Sequence, residues 1–157
     1  MTADFTVRRP QPADAPALAE LRWAFKREDD EGPPHGAVLP TGEAERWIRD
    51  RLGGGRWLAR VAEADGEIRG HVFLHLVERM PDPYGESAPI GYTTNFYVMP
   101  GRRNQGIGSA LLQALDEYAR RMALDTLIVW PGERSASLYR RSGCHTPGEL
   151  LELPLGT

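Results

Sequence analysis

Only one cysteine, Cys144, stands in 157 residues, so the chain can close no internal disulfide and offers no multi-cysteine zinc site. Long apolar runs are lacking too. The longest, around residues 72–77, is interrupted by His75 and falls far short of the roughly eighteen residues of a membrane span. The first ten residues lack the basic-then-apolar order of a secretion signal, and the cytoplasm is the expected compartment. Aromatic residues make up 8% of the chain, and Trp23, Trp47, Trp57 and Trp130 are too dispersed for a stacking platform, which leaves core or helix packing as their expected role. Excess positive charge is also absent. A formal net charge of -3 argues against binding nucleic acid through bulk charge.

What is present, 41% hydrophobic and 26% charged residues, suits one globular domain spanning residues 1–157. Charge is distributed unevenly. Glu28, Asp29, Asp30 and Glu31 form an acidic run, whereas Arg102, Arg103, Arg120, Arg121, Arg140 and Arg141 make the second half locally basic. A small anionic ligand can be held there without a basic whole.

Pattern predicts a strand over 5–8 and a helix over 12–28, with Ala17, Leu18, Leu21, Ala24 and Phe25 on one face. Residues 29–40, with acids, two glycines and the pair Pro33 and Pro34, read as a loop. A second helix follows over 41–52. Strands over 56–64 and 67–77 flank Asp65-Gly66, a type I′ hairpin dipeptide. Residues 90–99 read as a strand, 107–122 as a long amphipathic helix, 126–130 as a strand, 134–142 as a short helix and 149–155 as a closing strand. A meander followed by strand, helix and strand predicts an α/β domain of α+β type: a mixed, mostly antiparallel sheet of six to seven strands flanked by about four helices.

The most informative stretch is Val98-Met-Pro-Gly-Arg-Arg-Asn-Gln-Gly-Ile-Gly108, which joins a strand to the long helix. Unpaired N–H groups at a helix start, reinforced by the helix dipole, make an anion site, and Gly106 and Gly108 are expected to let a phosphate approach the main chain. A Walker loop would need Lys and then Ser or Thr after its last glycine, but Gly106 is followed by Ile107. The dinucleotide fingerprint would need a third glycine where Leu111 stands.

A third reading fits. Arg103-Asn-Gln-Gly-Ile-Gly108 resembles the Arg/Gln-x-x-Gly-x-Gly/Ala signature of the GNAT superfamily of acyl-CoA-dependent N-acetyltransferases, and Leu138-Tyr-Arg-Arg-Ser-Gly143 resembles its later Leu-Tyr-x-x-x-Gly element. The resemblance implies acetyl-CoA as cosubstrate, cradled by Tyr97, Val98, Met99, Arg103, Asn104, Gln105, Gly106, Ile107, Gly108, Ser109 and Ser135, with Arg103 meeting phosphate charge. It implies a strand at Tyr97 to Met99 splayed from its parallel neighbour, with one N–H aimed at the thioester oxygen. Tyr139 takes the general-acid position, and packing alone is the competing role for its ring. An acceptor site lined by the first two helices, the 29–40 loop and the hairpin loop is also implied, as is a homodimer.

The general base is less defined, because the strand before the turn reads Thr93-Thr94-Asn95 where polyamine-acetylating relatives carry acids. Glu78 is the leading candidate, with Asp82 or Tyr92 as alternatives and water as a route. The acidic run at Glu28 is a candidate attractor of a cationic amine. Cys144 has no paired base at useful spacing. His71 and His75 share one strand face, but no third donor completes a metal site and no metal is expected. The expected function is acetyl transfer to a primary amine of a small molecule or peptide, without nucleic acid or membrane partners; the alternative is a non-catalytic acyl-CoA sensor.

Overall fold

The computed structural model describes residues 4–29, 41–85 and 87–156. Its sheet has five strands in the order β1 (Thr6–Arg8), β2 (Trp57–Ala64), β3 (Glu67–Val77), β4 (Ile90–Val98) and β5 (Thr126–Val129). The first three pairings are antiparallel and the last, β4 with β5, is parallel. The mixed, mostly antiparallel sheet is as expected, with fewer strands than the six to seven foreseen. Residues 149–155 are not a strand: Leu151, Leu153 and Leu155 are strongly exposed, so their alternation faces solvent instead of a core.

Asp65-Gly66 closes the β2–β3 hairpin with both residues at positive φ, 54° and 76°, the backbone that a type I′ turn demands. A single 3-10 turn at Pro12–Asp14 leads into α1 (Ala15–Asp29), and α2 is Thr41–Leu52. These two helices cover one face of the sheet through Leu18, Leu21 and Ile48, packed on Val61, Phe73 and Tyr97. The expected 29–40 loop lies, beyond Asp29, outside the described residues.

The opposite face carries α3 (Ile107–Arg121) and α4 (Ala136–Arg141). Leu111, Leu112, Leu115 and Tyr118 recur at helical spacing on α3 and bury against Val72 and Leu74. Close approach sets the small residues here. A Cβ on Gly91 would lie 2.6 Å from Leu127 and 2.8 Å from Leu74, so β4 admits no side chain at that point.

A bulge breaks β4. Tyr97 pairs with His71 and Thr94 with Phe73, so three steps on β4 oppose two on β3, and Asn95 takes φ 53°. Beyond Thr93, paired with Val129, β4 and β5 have no further register. The two strands therefore part at the bulge and open a cleft.

Candidate active site

The cleft between β4, the β4–α3 turn and the β5–α4 loop encloses about 1050 Å³. One wall is main chain. Gly106, at φ 89°, caps α3, and the first helical bond runs from Ala110 N–H to the Gly106 carbonyl at 3.0 Å. The N–H groups of Ile107, Gly108 and Ser109 precede that bond and, at a helix start, form an anion cradle. No Cβ clash guards Gly106, where nothing lies within 4 Å; its glycine answers to the positive φ. Gly108 is different. A Cβ there would meet Leu138 at 2.8 Å and Phe96 at 3.2 Å, so this glycine lets α3 approach α4 and β4, a packing role beside the expected phosphate approach.

Several other expected cofactor residues play distinct parts. Ile107 is buried at 1% exposure and contributes to the core by its side chain, leaving only its N–H for the cleft. Met99 gives its N–H to the Arg69 carbonyl at 2.9 Å, away from the open edge. Strand alternation turns Val98 to that edge instead. Asn104, at φ 63°, and Gln105 are exposed on the turn, and Gln105 reaches the Gly101 carbonyl at 3.4 Å. Ser109 and Ser135 line the cleft, the latter at the start of α4.

Arg103, the expected phosphate partner, lines the cleft and is engaged there by protein groups. Its Nε donates to the Val98 carbonyl at 2.9 Å, and its two terminal nitrogens donate to Glu28 of α1 at 2.6 and 2.9 Å. Glu28 also accepts from the Tyr97 hydroxyl at 2.9 Å and lies 3.5 Å from Arg134. Tyr97 stacks on Phe25 at 5.1 Å, with the Arg103 guanidinium over its ring. The Arg103 partner holds the Glu28 carboxyl below its usual range, so this acid is engaged as an ion by the protein's own guanidinium. Sequence reasoning saw Glu28 only as part of an acidic run. Nothing in its spacing tied it to a residue 75 positions away.

Tyr139 is 5% exposed and packs against Phe96 at 5.5 Å, on the inner face of α4. Burial is the first cause that raises its phenol above the ordinary value, with Cys144 and Tyr92 nearby adding to it. The ring keeps its proton through neutral pH. Its neighbours Ser137, Leu138 and Arg141 line the cleft.

Glu78 is not brought to this cleft. Its side chain is 75% exposed and pairs with Arg56 at 3.0 Å, because β3 ends at Val77 and releases it to solvent. Asp82 accepts from the Tyr84 N–H within an exposed turn. Tyr92 packs edge-on against Trp130, itself 60% exposed and thus no core residue.

His71, weighed from its spacing only as a metal ligand, has a different place in the structure. Fully buried, it donates from Nδ1 to the carbonyl of Asn95, the bulge residue, at 2.7 Å, a direction fixed because a carbonyl only accepts. Arg22 of α1 donates to the Asn95 side chain at 3.0 Å. Two elements thus pin the bulge that parts β4 from β5. His75, its supposed partner, instead packs on Trp57 at 4.4 Å. Among the described residues, no group of three or more His, Cys, Asp or Glu side chains could hold a metal ion, and no helix is long and apolar enough to cross a membrane.

Comparison with known proteins bears on the family and the fold. An aminoglycoside N(6')-acetyltransferase type 1 of Stenotrophomonas maltophilia is 30% identical over 115 residues, 73% of this chain and 67% of that protein. A mycothiol acetyltransferase of Catenulispora acidiphila is 32% identical over 120 residues, and there the match spans only 35% of the relative's length. In fold, a predicted acetyltransferase of Clostridium acetobutylicum solved with acetyl-CoA superposes with a TM-score of 0.80 over 96% of both chains at 20% identity. The family model described as "Acetyltransferase (GNAT) family" matches residues 15–144, which takes in α1, the splayed strands, the glycine turn and Tyr139. The chain belongs to that family and is an acyltransferase.

Proposed function

We propose that the protein transfers the acetyl group of acetyl-CoA directly to a primary amine of a small molecule, both substrates being bound together. The observation that carries this is the parting of β4 from β5 at the Asn95 bulge, beside the uncapped start of α3. An extended thioester arm fits along an unpaired strand edge, and its phosphates fit a helix N-terminus. The relative named for aminoglycosides, which carry several amines, supports a small-molecule acceptor.

In this reading the amine nitrogen attacks the thioester carbonyl, whose oxygen takes a hydrogen bond from a β4 N–H beside the bulge. The carbon–sulfur bond then breaks, and Tyr139 gives its proton to the departing sulfur. The nitrogen loses a proton to water, which also returns one to the phenol. Among the described residues the cleft has two carboxylates, Glu28, held by Arg103, and Glu133, exposed on the β5–α4 loop, and in this reading neither serves as the base: the acceptor enters as the neutral amine or loses its proton through solvent.

The same lack of a placed base favours a second reading, an acyl-CoA sensor without turnover. Thiol release from acetyl-CoA with a panel of aminoglycosides, polyamines and N-terminal peptides separates the two. Amine-dependent release supports the enzyme, whereas tight acetyl-CoA binding with no release for any amine supports the sensor. A cytoplasmic setting, a homodimer and a single domain over 1–157 belong to this proposal as well.

A further inference from the structure

Glu28 occupies an electrostatically unusual place. It lies in the last turn of α1, where the helix dipole disfavours a carboxylate, yet it faces into the cleft instead of solvent. What holds it there comes from three other elements. The β4–α3 turn supplies Arg103, in the two-pronged geometry that guanidinium and carboxylate prefer; β4 supplies the Tyr97 hydroxyl; the β5–α4 loop supplies Arg134 from the opposite wall. The cleft is lined by four arginines, Arg102, Arg103, Arg134 and Arg141, against two acids, Glu28 and Glu133. Arg102 is paired with Asp65 of the hairpin turn. Glu28 therefore engages two of the remaining three cations.

Coenzyme A brings a pyrophosphate and a further phosphate to the same cleft. Three of the five N–H donors of the Arg103 guanidinium are committed to Val98 and Glu28, and the Glu28 carboxylate offsets its charge, so Arg103 attracts those phosphates less than it would without Glu28. We infer that Glu28 is an internal anion of the cleft, a specificity-determining residue that competes with the coenzyme phosphates for Arg103 and Arg134 and leaves the phosphates to main-chain N–H groups. This rests on the acetyl-CoA reading above. Coenzyme affinity is thereby held down, and α1 stays fastened to the turn whether or not coenzyme is bound.

The test is direct binding of two ligands to the full chain: acetyl-CoA, and acetyl-pantetheine, which shares the thioester arm but carries no phosphate. Glu28→Gln keeps the length of the side chain and removes its charge. It should tighten acetyl-CoA binding by about threefold to tenfold at low salt, with the gain shrinking in 0.5 M salt as ions screen the released arginines, and leave acetyl-pantetheine unchanged. Glu28→Ala should move affinity in the same direction. Weaker acetyl-CoA binding in Glu28→Gln would overturn the inference, since Glu28 would then be aligning Arg103 for phosphate. Equal change for both ligands, or loss of folding in both variants by thermal melt, would overturn it too, because Glu28 would be a structural pin. Failure of the wild-type chain to bind acetyl-CoA sinks the functional reading itself, whereas wild-type binding that neither variant alters sinks only the role of Glu28.

Discussion

Two titratable rings are buried on opposite faces of the sheet, and desolvation acts on both. On the α3–α4 face, burial raises the Tyr139 phenol, so the ring keeps its proton, the one that the proposed mechanism gives to the leaving thiolate. On the α1–α2 face, burial lowers His71 to about 4, so the imidazole stays neutral and holds the Asn95 carbonyl with Nδ1. One physical cause, exclusion of water, therefore leaves a protonated phenol beside the cleft and a neutral imidazole bracing the bulge behind it. What differs is the partner: His71 has a main-chain carbonyl, and Tyr139 packs against a ring, Phe96.

The largest expected effect is at Tyr139. Tyr139→Phe keeps the ring against Phe96 and deletes the proton, and general acid catalysis is worth roughly 10²- to 10⁴-fold. Turnover should fall by at least tenfold while the melting temperature and acetyl-CoA affinity stay near wild type. Unaltered turnover would reduce Tyr139 to packing and erase its contrast with His71.

His71 is tested by acid. Its folded pKa is depressed, so its contribution to stability is complete above the unfolded value of 6.5 and declines as pH falls toward about 4, where the folded state also takes up the proton. Across that window the loss amounts to about 3 kcal/mol by the linkage between pKa and stability. Asp14 and Glu28, both depressed, add their own losses only within and below the ordinary carboxylate range. Urea unfolding at pH 7, 6 and 5 therefore reports His71. In His71→Asn, whose amide can donate to the same carbonyl but does not titrate, that slope should flatten. An unchanged slope would place the acid sensitivity elsewhere.

The two glycines of the turn sharpen the comparison from the ligand side. Gly106→Val forces a β-branched residue to φ 89°, at a cost of about 1–3 kcal/mol, and places a side chain over the N–H cradle; acetyl-CoA affinity should fall at least tenfold. Gly108→Ala drives a methyl group toward Leu138 and Phe96, so it should lower stability by about 1–3 kcal/mol, as overpacked cores do. Calorimetric titration and denaturant unfolding of both variants separate binding from packing. Equal losses of affinity would show that Gly108 also answers to the ligand.

Elements whose cause is local were legible in the sequence. Asp65-Gly66 marks its hairpin turn because only a few residue types accept positive φ, and α3 shows its apolar stripe every three to four residues. The glycine turn was legible as a strand-to-helix turn for the same reason, with Gly106 at φ 89°. Features created by long-range pairing were not. The Asn95 bulge depends on His71 and Arg22, residues 24 and 73 positions away, and the Glu28–Arg103 pair spans 75 positions. Alternation over 149–155 misled, since a period of two yields a strand only where a sheet edge and an apolar surface receive it.

The smallest expected effect concerns Glu78, the acid that sequence reasoning favoured as base. Its carboxylate is solvated and shares an exposed ion pair with Arg56, a kind of contact that contributes little in water. A base must come within hydrogen-bond reach of the proton it removes, directly or through one water, and Glu78 does not line the cleft. Glu78→Gln should therefore leave kcat and KM for the amine within twofold of wild type across pH 6–9. If proton removal proceeds through solvent, the rate should instead rise with pH until the free amine predominates, identically in the variant and the wild type. A tenfold loss confined to Glu78→Gln, with a shifted pH profile, would mean that the acceptor side closes over this acid during turnover and would move the base to the far end of β3.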